Sequence, residues 1–338
     1  MPVKFLTAFF LGIIVAVLVF GASFFYWSEA EVYRELELSI AKDLQAKLAA
    51  IRISTQVRIV EAERDKNVTL LFVGDVMLSR GIEAIVKKYG RGDWRYPFLN
   101  VAETIQTADL VFGNLEGPIS SRGKNQGSEY SFRAQPEAVE GLKFAGFDVL
   151  SLANNHIIDW GPEALADTIE ILKANGIHPV GAGRDRREAN EPLVVKVKNT
   201  KLAFLAYTTL FPKSFELERV KAKIKEIKTS KLADLIILSL HWGEEYAKQP
   251  SAEQIAIGHK LIEAGADLIV GHHPHVVQEM EYYKGGWIAY SLGNFVFDQN
   301  FDEATSRGLM LKVIVQNKEI KGVEEILIKF TKTFQPHL

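Results

Sequence analysis

The 338-residue sequence contains no cysteine. This absence excludes disulfides, thiolate zinc sites and thiol nucleophiles, so histidine, carboxylate and amide side chains are left for any metal chemistry. The chain also lacks a strong excess of charge, because its formal net charge is -2 and its basic residues are spread among acidic ones. We therefore expect no general attraction to nucleic acid.

No charged residue occurs from Phe5 to Trp27, a stretch longer than the roughly 20 residues that cross a bilayer. Lys4 precedes it and Glu29 follows it. The positive-inside rule then predicts a single-pass protein of the cell membrane, with a cytoplasmic N-terminus and an extracytoplasmic main domain. A cleaved signal peptide is the alternative, with residues 21–23 as a marginal cleavage site. The apolar run continues past that site, which favours a retained anchor.

Glycine and proline are missing from residues 28–66. The apolar residues of this stretch recur in steps of three and four, at Tyr33, Leu36, Ile40, Leu44, Leu48 and Ile51. This spacing predicts a helical stalk that follows the anchor segment 1–27. Pairing of the apolar face as a dimeric coiled coil and its packing on the domain surface both stay open.

Short apolar runs alternate with helical segments from residue 67 onward. The predicted strands are 69–73, 110–112, 149–153, 202–207, 235–240, 268–270 and 288–292, and helices are predicted at 162–175 and 252–264. This alternation indicates an α/β fold. Antiparallel hairpins are expected from 193–197 with 202–205 and from 309–315 with 326–330, so the sheets are mixed. Residues 67–338 are predicted to form one domain.

Polar side chains follow these strands at their carboxyl ends, where α/β sheets bind ligands. The candidate metal ligands are Asp75, Glu116, Asn155, His241, His273 and His275. Any one of them alone is explained by turn chemistry, but the ordered series is not. Mixed oxygen and nitrogen ligands suit Mn, Fe or Zn, and this number of ligands suits two divalent ions.

Two such ions would clamp a phosphoryl-like group and lower the pKa of a bridging water. His156, next to Asn155, is the candidate general acid for the leaving group. Asn114, Arg133 and Glu245 are candidate substrate-binding residues, since an arginine fork suits a phosphate or a carboxylate. An ordinary surface ion pair explains Arg133 and Glu245 equally well.

An ordered set of motifs carries a family resemblance. GDVML at 74–78, NLEG at 114–117, ANNH at 153–156, HWG at 241–243, GHHPHVVQ at 271–278 and YSLGNF at 290–295 resemble the bacterial capsule synthesis CapA/PgsA family of poly-γ-glutamate synthesis. That family is related to the calcineurin-like metallophosphoesterases. The resemblance implies a four-layer α/β/β/α sandwich with mixed sheets and a dinuclear metal site.

The resemblance also implies a role for each ligand. One ion would be bound by Asp75 and His275, the second by Asn155, His241 and His273, with Glu116 bridging both and His156 assisting the leaving group. Two positions depart from the superfamily, which usually has a histidine where Met77 of the first motif stands and an aspartate where the bridging Glu116 stands. Thioether sulfur is a poor ligand for Mn or Zn, so metal binding is more firmly implied than hydrolysis.

Two functions follow from the resemblance. The first is a metal-dependent hydrolase that acts on a phosphoester or a polymer linkage outside the membrane. The second is a factor for capsule assembly or export that binds the polymer without turnover. Both imply an anionic capsule polymer or its precursor, and other membrane capsule-synthesis proteins, as partners.

Overall fold

The computed structural model describes residues 3–211 and 214–338, so Met1 and Pro2 of the predicted cytoplasmic tip lie outside the described residues. The chain divides into two compact units, Met1–Arg64 and Asp65–Leu338. The finer division into segments 1–27, 28–66 and 67–338 stays a prediction.

Helix α1 (Val3–Lys66) makes up the described part of the first unit, and its last two residues, Asp65 and Lys66, belong to the second. Among the described residues, one helical stretch is long and apolar enough to cross a membrane by length and composition, with a mean hydropathy of 2.0 within Leu11–Val57. Its large apolar side chains, among them Leu18 and Phe20, are exposed. This finding is consistent with a membrane anchor.

The second unit alternates strands and helices. Its strands are β1 (Asn67–Val76), β2 (Leu110–Leu115), β3 (Val149–Ser151), β4 (His178–Val180), β5 (Leu193–Val197), β6 (Thr200–Thr208), β7 (Leu235–His241), β8 (Leu268–His272), β9 (Met280–Tyr283), β10 (Gly286–Ala289), β11 (Asn294–Val296), β12 (Arg307–Gln316), β13 (Glu319–Phe330) and β14 (Pro336–His337). Its helices are α2 (Arg80–Lys88), α3 (Ala102–Ile105), α4 (Val139–Ala145), α5 (Gly161–Ala174), α6 (Arg186–Ala189), α7 (Leu217–Ser230) and α8 (Ala252–Ala264).

The described strands form two mixed sheets. Sheet one has the order β14-β13-β12-β1-β2-β3-β4, with β11 also paired to β1, and sheet two has the order β5-β6-β7-β8-β10-β9. Strands β1 to β4 are parallel neighbours, as are β6, β7 and β8. The hairpins β5–β6 and β12–β13 are antiparallel, as the sequence predicts.

The core residues define the layers. Along β1, Leu70 and Phe72 pack between the two sheets, whereas Leu71 and Val73 face the helices α2, α4 and α5, because neighbouring strand residues point to opposite faces. On the far side, sheet two packs against α7 and α8. The described unit is therefore an α/β/β/α sandwich, which confirms the predicted metallophosphoesterase-like fold.

Helix α8 begins and ends as its sequence predicts. Ser251 caps it, because its side chain accepts a hydrogen bond from the Gln254 backbone while the Gln254 side chain bonds back to the backbone of Ser251. Gly265 ends it at a φ of 116°, a conformation that glycine adopts without strain. The two ends of α8, and with them the loops that join it to β7 and β8, are therefore fixed by the sequence.

Candidate metal centre

The predicted ligands lie at the carboxyl ends of strands from both sheets. Asp75 is the penultimate residue of β1, and His241 is the last residue of β7. Glu116 directly follows β2, and His273 directly follows β8. These side chains are buried. Two sheets stacked face to face thus bring residues distant in sequence to one edge.

Asp75 lies at the middle of this cluster. Asn114 Nδ2 donates a hydrogen bond to Asp75 Oδ1 at 2.8 Å, and the His273 backbone N donates to Asp75 Oδ2 at 3.2 Å. His275 Nδ1 is 3.5 Å from Asp75 Oδ2, and its Nε2 is 3.7 Å from Glu116 Oε1. The His275 ring therefore lies between two carboxylates.

Contacts between the sheets complete the cluster. His241 Nε2 is 2.7 Å from Asn155 Oδ1, although β7 belongs to sheet two and Asn155 follows β3 of sheet one. Asn114 Nδ2 is 3.4 Å from His241 Nδ1. The structure thus brings together Asp75, Glu116, Asn155, His241, His273 and His275, together with Asn114.

The His-Pro-His loop has an unusual backbone. His273 has a φ of 96° and His275 a φ of 58°, in the left-handed region that residues with a side chain seldom adopt. Such strain persists where the surrounding structure enforces it, and it is concentrated at functional sites. In this loop the His275 ring faces Asp75 and Glu116, and the His273 backbone N faces Asp75.

His156 is oriented by a neighbouring carboxylate. Its Nδ1 is 2.8 Å from Asp159 Oδ2, and its Nε2 is 3.8 Å from Glu116 Oε1. Asp159 is fixed in turn, since it accepts hydrogen bonds from the Phe132 backbone N and from Ser128 Oγ, each at 2.8 Å. The Phe132 ring packs on the imidazole at a centroid distance of 4.0 Å. His156 therefore presents one nitrogen to the cluster.

Some functional candidates were missed at the sequence level. His272, passed over in favour of His273, is fully buried with Nδ1 3.3 Å from Asp75 Oδ1. Asn294 Oδ1 is 3.0 Å from His275 Nδ1 and orients that ring. Both residues lie within recognised motifs, but only the fold shows which neighbour each one contacts.

The predicted substrate-binding residues lie in different surroundings. The Arg133 guanidinium stacks on Trp160, 3.4 Å from the ring centroid, and its Nη1 donates to the Arg122 carbonyl at 3.3 Å. Glu245 is exposed on the rim, near His273. A substrate role for Arg133, Asn114 or Glu245 stays a prediction.

Burial in the cluster disfavours the ionised forms of Glu116, His241 and His273. Burial, reinforced by the charges of Asp75 and Glu245, raises the pKa of Glu116 well above its ordinary value. Burial and the neighbouring imidazoles lower the pKa of His241, and burial lowers the pKa of His273 to about 4. The imidazoles are therefore neutral at neutral pH, as metal binding requires.

The donor set fits divalent cations. In the described part of the chain, both carboxylate oxygens of Glu116 and Nδ1 of His273 are buried without a hydrogen-bond partner. A buried, unpaired polar group is costly unless a partner or a metal satisfies it. Residues 3–211 and 214–338 contain two groups with potential ligand atoms within 4.8 Å of one another: Asp75, Glu116 and His241, and Glu245, His273 and His275. The division of ligands between two ions stays a prediction.

Comparisons with known proteins agree with the motifs. The family described as bacterial capsule synthesis protein PGA_cap matches residues 69–299. The capsule biosynthesis protein CapA of Bacillus anthracis is 36% identical over 270 residues, which cover 74% of this chain and 65% of that protein. The PGA biosynthesis protein CapA of Bacillus subtilis (strain 168) is 33% identical over 264 residues, which cover 74% of this chain and 69% of that one.

A solved structure shares the fold. The crystal structure of a hypothetical protein from Thermus thermophilus superposes with a TM-score of 0.54 at 17% identity, over 77% of this chain and 99% of that one. At this identity the likeness supports the fold alone. The family match and the two Bacillus relatives go further, and they show that the chain belongs to the bacterial capsule synthesis protein (PGA_cap) family.

Proposed function

We propose that this chain is a membrane-tethered, extracytoplasmic metal-dependent hydrolase of poly-γ-glutamate capsule synthesis or export, acting on a phosphoester or on a linkage of the polymer. The family supports the capsule context. The observation that carries the hydrolytic role is the orientation of His156 by Asp159, with Nε2 directed towards Glu116. An oriented imidazole facing a ligand cluster is the arrangement of a general acid.

In this function, metal binding and proton transfer belong to different residues. Asp75, Glu116, Asn155, His241, His273 and His275 would hold two divalent ions of Mn, Fe or Zn. Ions bound there would polarise the reacting group and lower the pKa of a water. His156 Nε2 would deliver a proton to the leaving group, while Asp159 holds the Nδ1 proton and fixes the ring.

One observation favours the alternative, a factor for capsule assembly or export that binds the polymer without turnover. Met77 stands where the superfamily usually has a metal-binding histidine, and its sulfur accepts hydrogen bonds from the Ser79 backbone N and Oγ at 3.1 and 3.0 Å. Ser79 thus occupies that sulfur, which is in any case a poor ligand for Mn or Zn. An ion bound there would have one ligand fewer than in the usual superfamily site.

Turnover and metal content distinguish the two functions. The full-length chain, purified in detergent and loaded with Mn²⁺, should hydrolyse bis(p-nitrophenyl) phosphate, and Glu116→Ala should lose both metal and turnover. His275→Ala should cost mainly one ion and His273→Ala mainly the other. Metal binding without turnover would support the assembly factor. A wild-type chain that takes up no metal under any loading condition would overturn both functions.

A further inference from the structure

The cleft in front of the candidate metal centre is acidic. It has a volume of about 420 Å³, and its lining includes His156, Glu129, Asp159 and Glu245. No lysine or arginine is among the described residues that line it. An anionic polymer would therefore meet carboxylates at this entrance, unless positive charge is supplied from the metal centre or from the rim.

Arg80 places a positive charge next to the cleft lining, although it is not itself one of the lining residues. Its guanidinium carbon lies 5.9 Å from the ring centroid of Tyr130, which lines the cleft, and 5.2 Å from that of Phe132. The Phe132 ring packs in turn on His156. The Phe132 ring thus contacts both Arg80 and His156, whereas Arg133 stacks on Trp160.

The Arg80 side chain is held in place from one side. Its Nε is 3.2 Å from Asp298 Oδ2, which also accepts a hydrogen bond from the Gly81 backbone N at 2.9 Å. Gly81 makes room for this carboxylate, because a Cβ there would lie 2.8 Å from Asp298 Cβ. The Arg80 backbone is in the left-handed region, at a φ of 52°. The fold therefore enforces this position at a cost in strain.

The outer edge of the guanidinium is available. Across residues 3–211 and 214–338, the contacts of Arg80 are the Asp298 carboxylate and the rings of Tyr130 and Phe132. Its two terminal amino groups have no hydrogen-bond acceptor in that part of the chain, and the side chain is 37% exposed. A planar edge with parallel donors matches a carboxylate.

We propose that Arg80 binds a carboxylate of the glutamate polymer, one that neighbours the group bound at the metal centre, and thereby selects a polyanionic chain for the acidic cleft. This role rests on the proposed function. The Arg80 guanidinium provides the anchoring charge, Asp298 positions it, and Tyr130 forms the adjoining wall.

Binding of a synthetic γ-linked glutamate decamer to the full-length, Mn²⁺-loaded chain in detergent tests this role by calorimetry. Arg80→Met should weaken decamer binding about tenfold or more, because a charge-assisted, two-pronged contact is lost. Arg80→Lys keeps the charge but loses the fork, so its loss should be smaller. Inorganic phosphate, which would bind at the metal centre itself, should bind Arg80→Met within about twofold of wild type.

Arg95 offers a matched control. It also pairs with an aspartate, Asp93, and lies over an aromatic ring, Phe144, with a centroid distance of 5.8 Å. Phe144 does not line the cleft, whereas Tyr130 beside Arg80 does. Arg95→Met should leave decamer affinity unchanged within about twofold.

Each other outcome overturns the proposal. Unchanged decamer affinity in Arg80→Met would show that Asp298 pairing is the whole role of Arg80. Equal losses for decamer and phosphate would place its effect on the metal centre. A wild-type chain that binds metal and phosphate but not the decamer would overturn the role of Arg80 and leave a metal-dependent function standing. A chain that takes up no metal would overturn the proposed function as well.

Discussion

Of the two carboxylates among the candidate ligands, Asp75 and Glu116, it is Glu116 whose pKa is raised in the folded protein. Burial and the charges of Asp75 and Glu245 raise its pKa, so the metal-free folded state favours the neutral carboxyl more strongly than the unfolded chain does. This contribution to stability is complete below the unfolded pKa, near 4.5, and it is lost as the pH rises through the folded pKa. Ionised Glu116 therefore destabilises the metal-free protein at higher pH.

Glu116→Gln should relieve this destabilisation. In metal-free protein, the free energy of unfolding of the variant should exceed that of wild type by an amount that grows as the pH rises above about 4.5. Urea unfolding at acidic and neutral pH measures this difference. The exposed Glu325→Gln is the control and should follow wild type. On addition of Mn²⁺ the order should reverse, because the variant binds the ion more weakly. A pH-independent difference would contradict this account.

His156→Ala should separate metal binding from chemistry. Metal content after purification should stay near that of wild type, whereas turnover of bis(p-nitrophenyl) phosphate should fall by roughly a hundredfold or more. Asn155→Ala, the neighbouring change, should instead lower metal content. Loss of metal in His156→Ala would show that His156 is a ligand rather than a proton donor.

The sequence carried much of the candidate site but not its internal contacts. Polar residues after buried strands are visible in the sequence, and the fold brings these residues together. The partners of Asp75 and His275 are not visible, because the contacts of His272 with Asp75 and of Asn294 with His275 join the two different sheets. The surroundings of Arg133 are likewise not visible in the sequence, since its stacking on Trp160 depends on tertiary packing.

At the scale of elements, strands that begin in a long apolar run were predicted, whereas two of the shortest strands, β4 and β11, were not. Strand β7 ends at His241, close to its predicted end, because every residue in it is buried and the pattern is unbroken. Strands β4 and β11 have three residues each, too few to show a period. Predicted strands 149–153 and 288–292 stop earlier, at Ser151 and Ala289, because the apolar residues beyond them pack from loops.

The backbone of β1 approaches the segment before β11 so closely that position 74 requires glycine. A Cβ on Gly74 would lie 1.9 Å from the Gly293 carbonyl oxygen, which also accepts the Asp75 backbone hydrogen bond at 3.0 Å. Gly74→Ala should therefore lower the free energy of unfolding by about 1–3 kcal/mol or more and displace Asp75.

Gly322→Ala is the control for this change. Gly322 lies in β13 of the same sheet, but its added Cβ would be 3.8 Å from Ile314, an ordinary contact distance. Its free energy of unfolding should stay within about 0.5 kcal/mol of wild type. Equal urea midpoints for the two variants would show that the backbone at Gly74 shifts freely.

At the scale of the whole molecule, the second unit has hydrophobic clusters of its own. Among the described residues, the buried hydrophobic clusters draw on positions from Val68 onward. Deletion of residues 1–66 should therefore give a soluble domain that unfolds cooperatively, at a temperature close to that of the full-length chain in detergent. Aggregation and loss of cooperative unfolding would show that α1 contributes to the core.

The absence of cysteine makes membrane orientation directly measurable. A single cysteine introduced into this chain is the only site that a maleimide can label. Thr229 is exposed near the end of α7 in the second unit, whereas Lys4 precedes the apolar run. If the positive-inside rule sets the orientation, Thr229→Cys should react with a membrane-impermeant maleimide in intact cells from which the cell wall has been removed. Lys4→Cys should react only after permeabilisation. The reverse pattern would place the metal centre in the cytoplasm, and labelling of Thr229→Cys on a fragment lacking the first residues would show that the segment is a cleaved signal peptide.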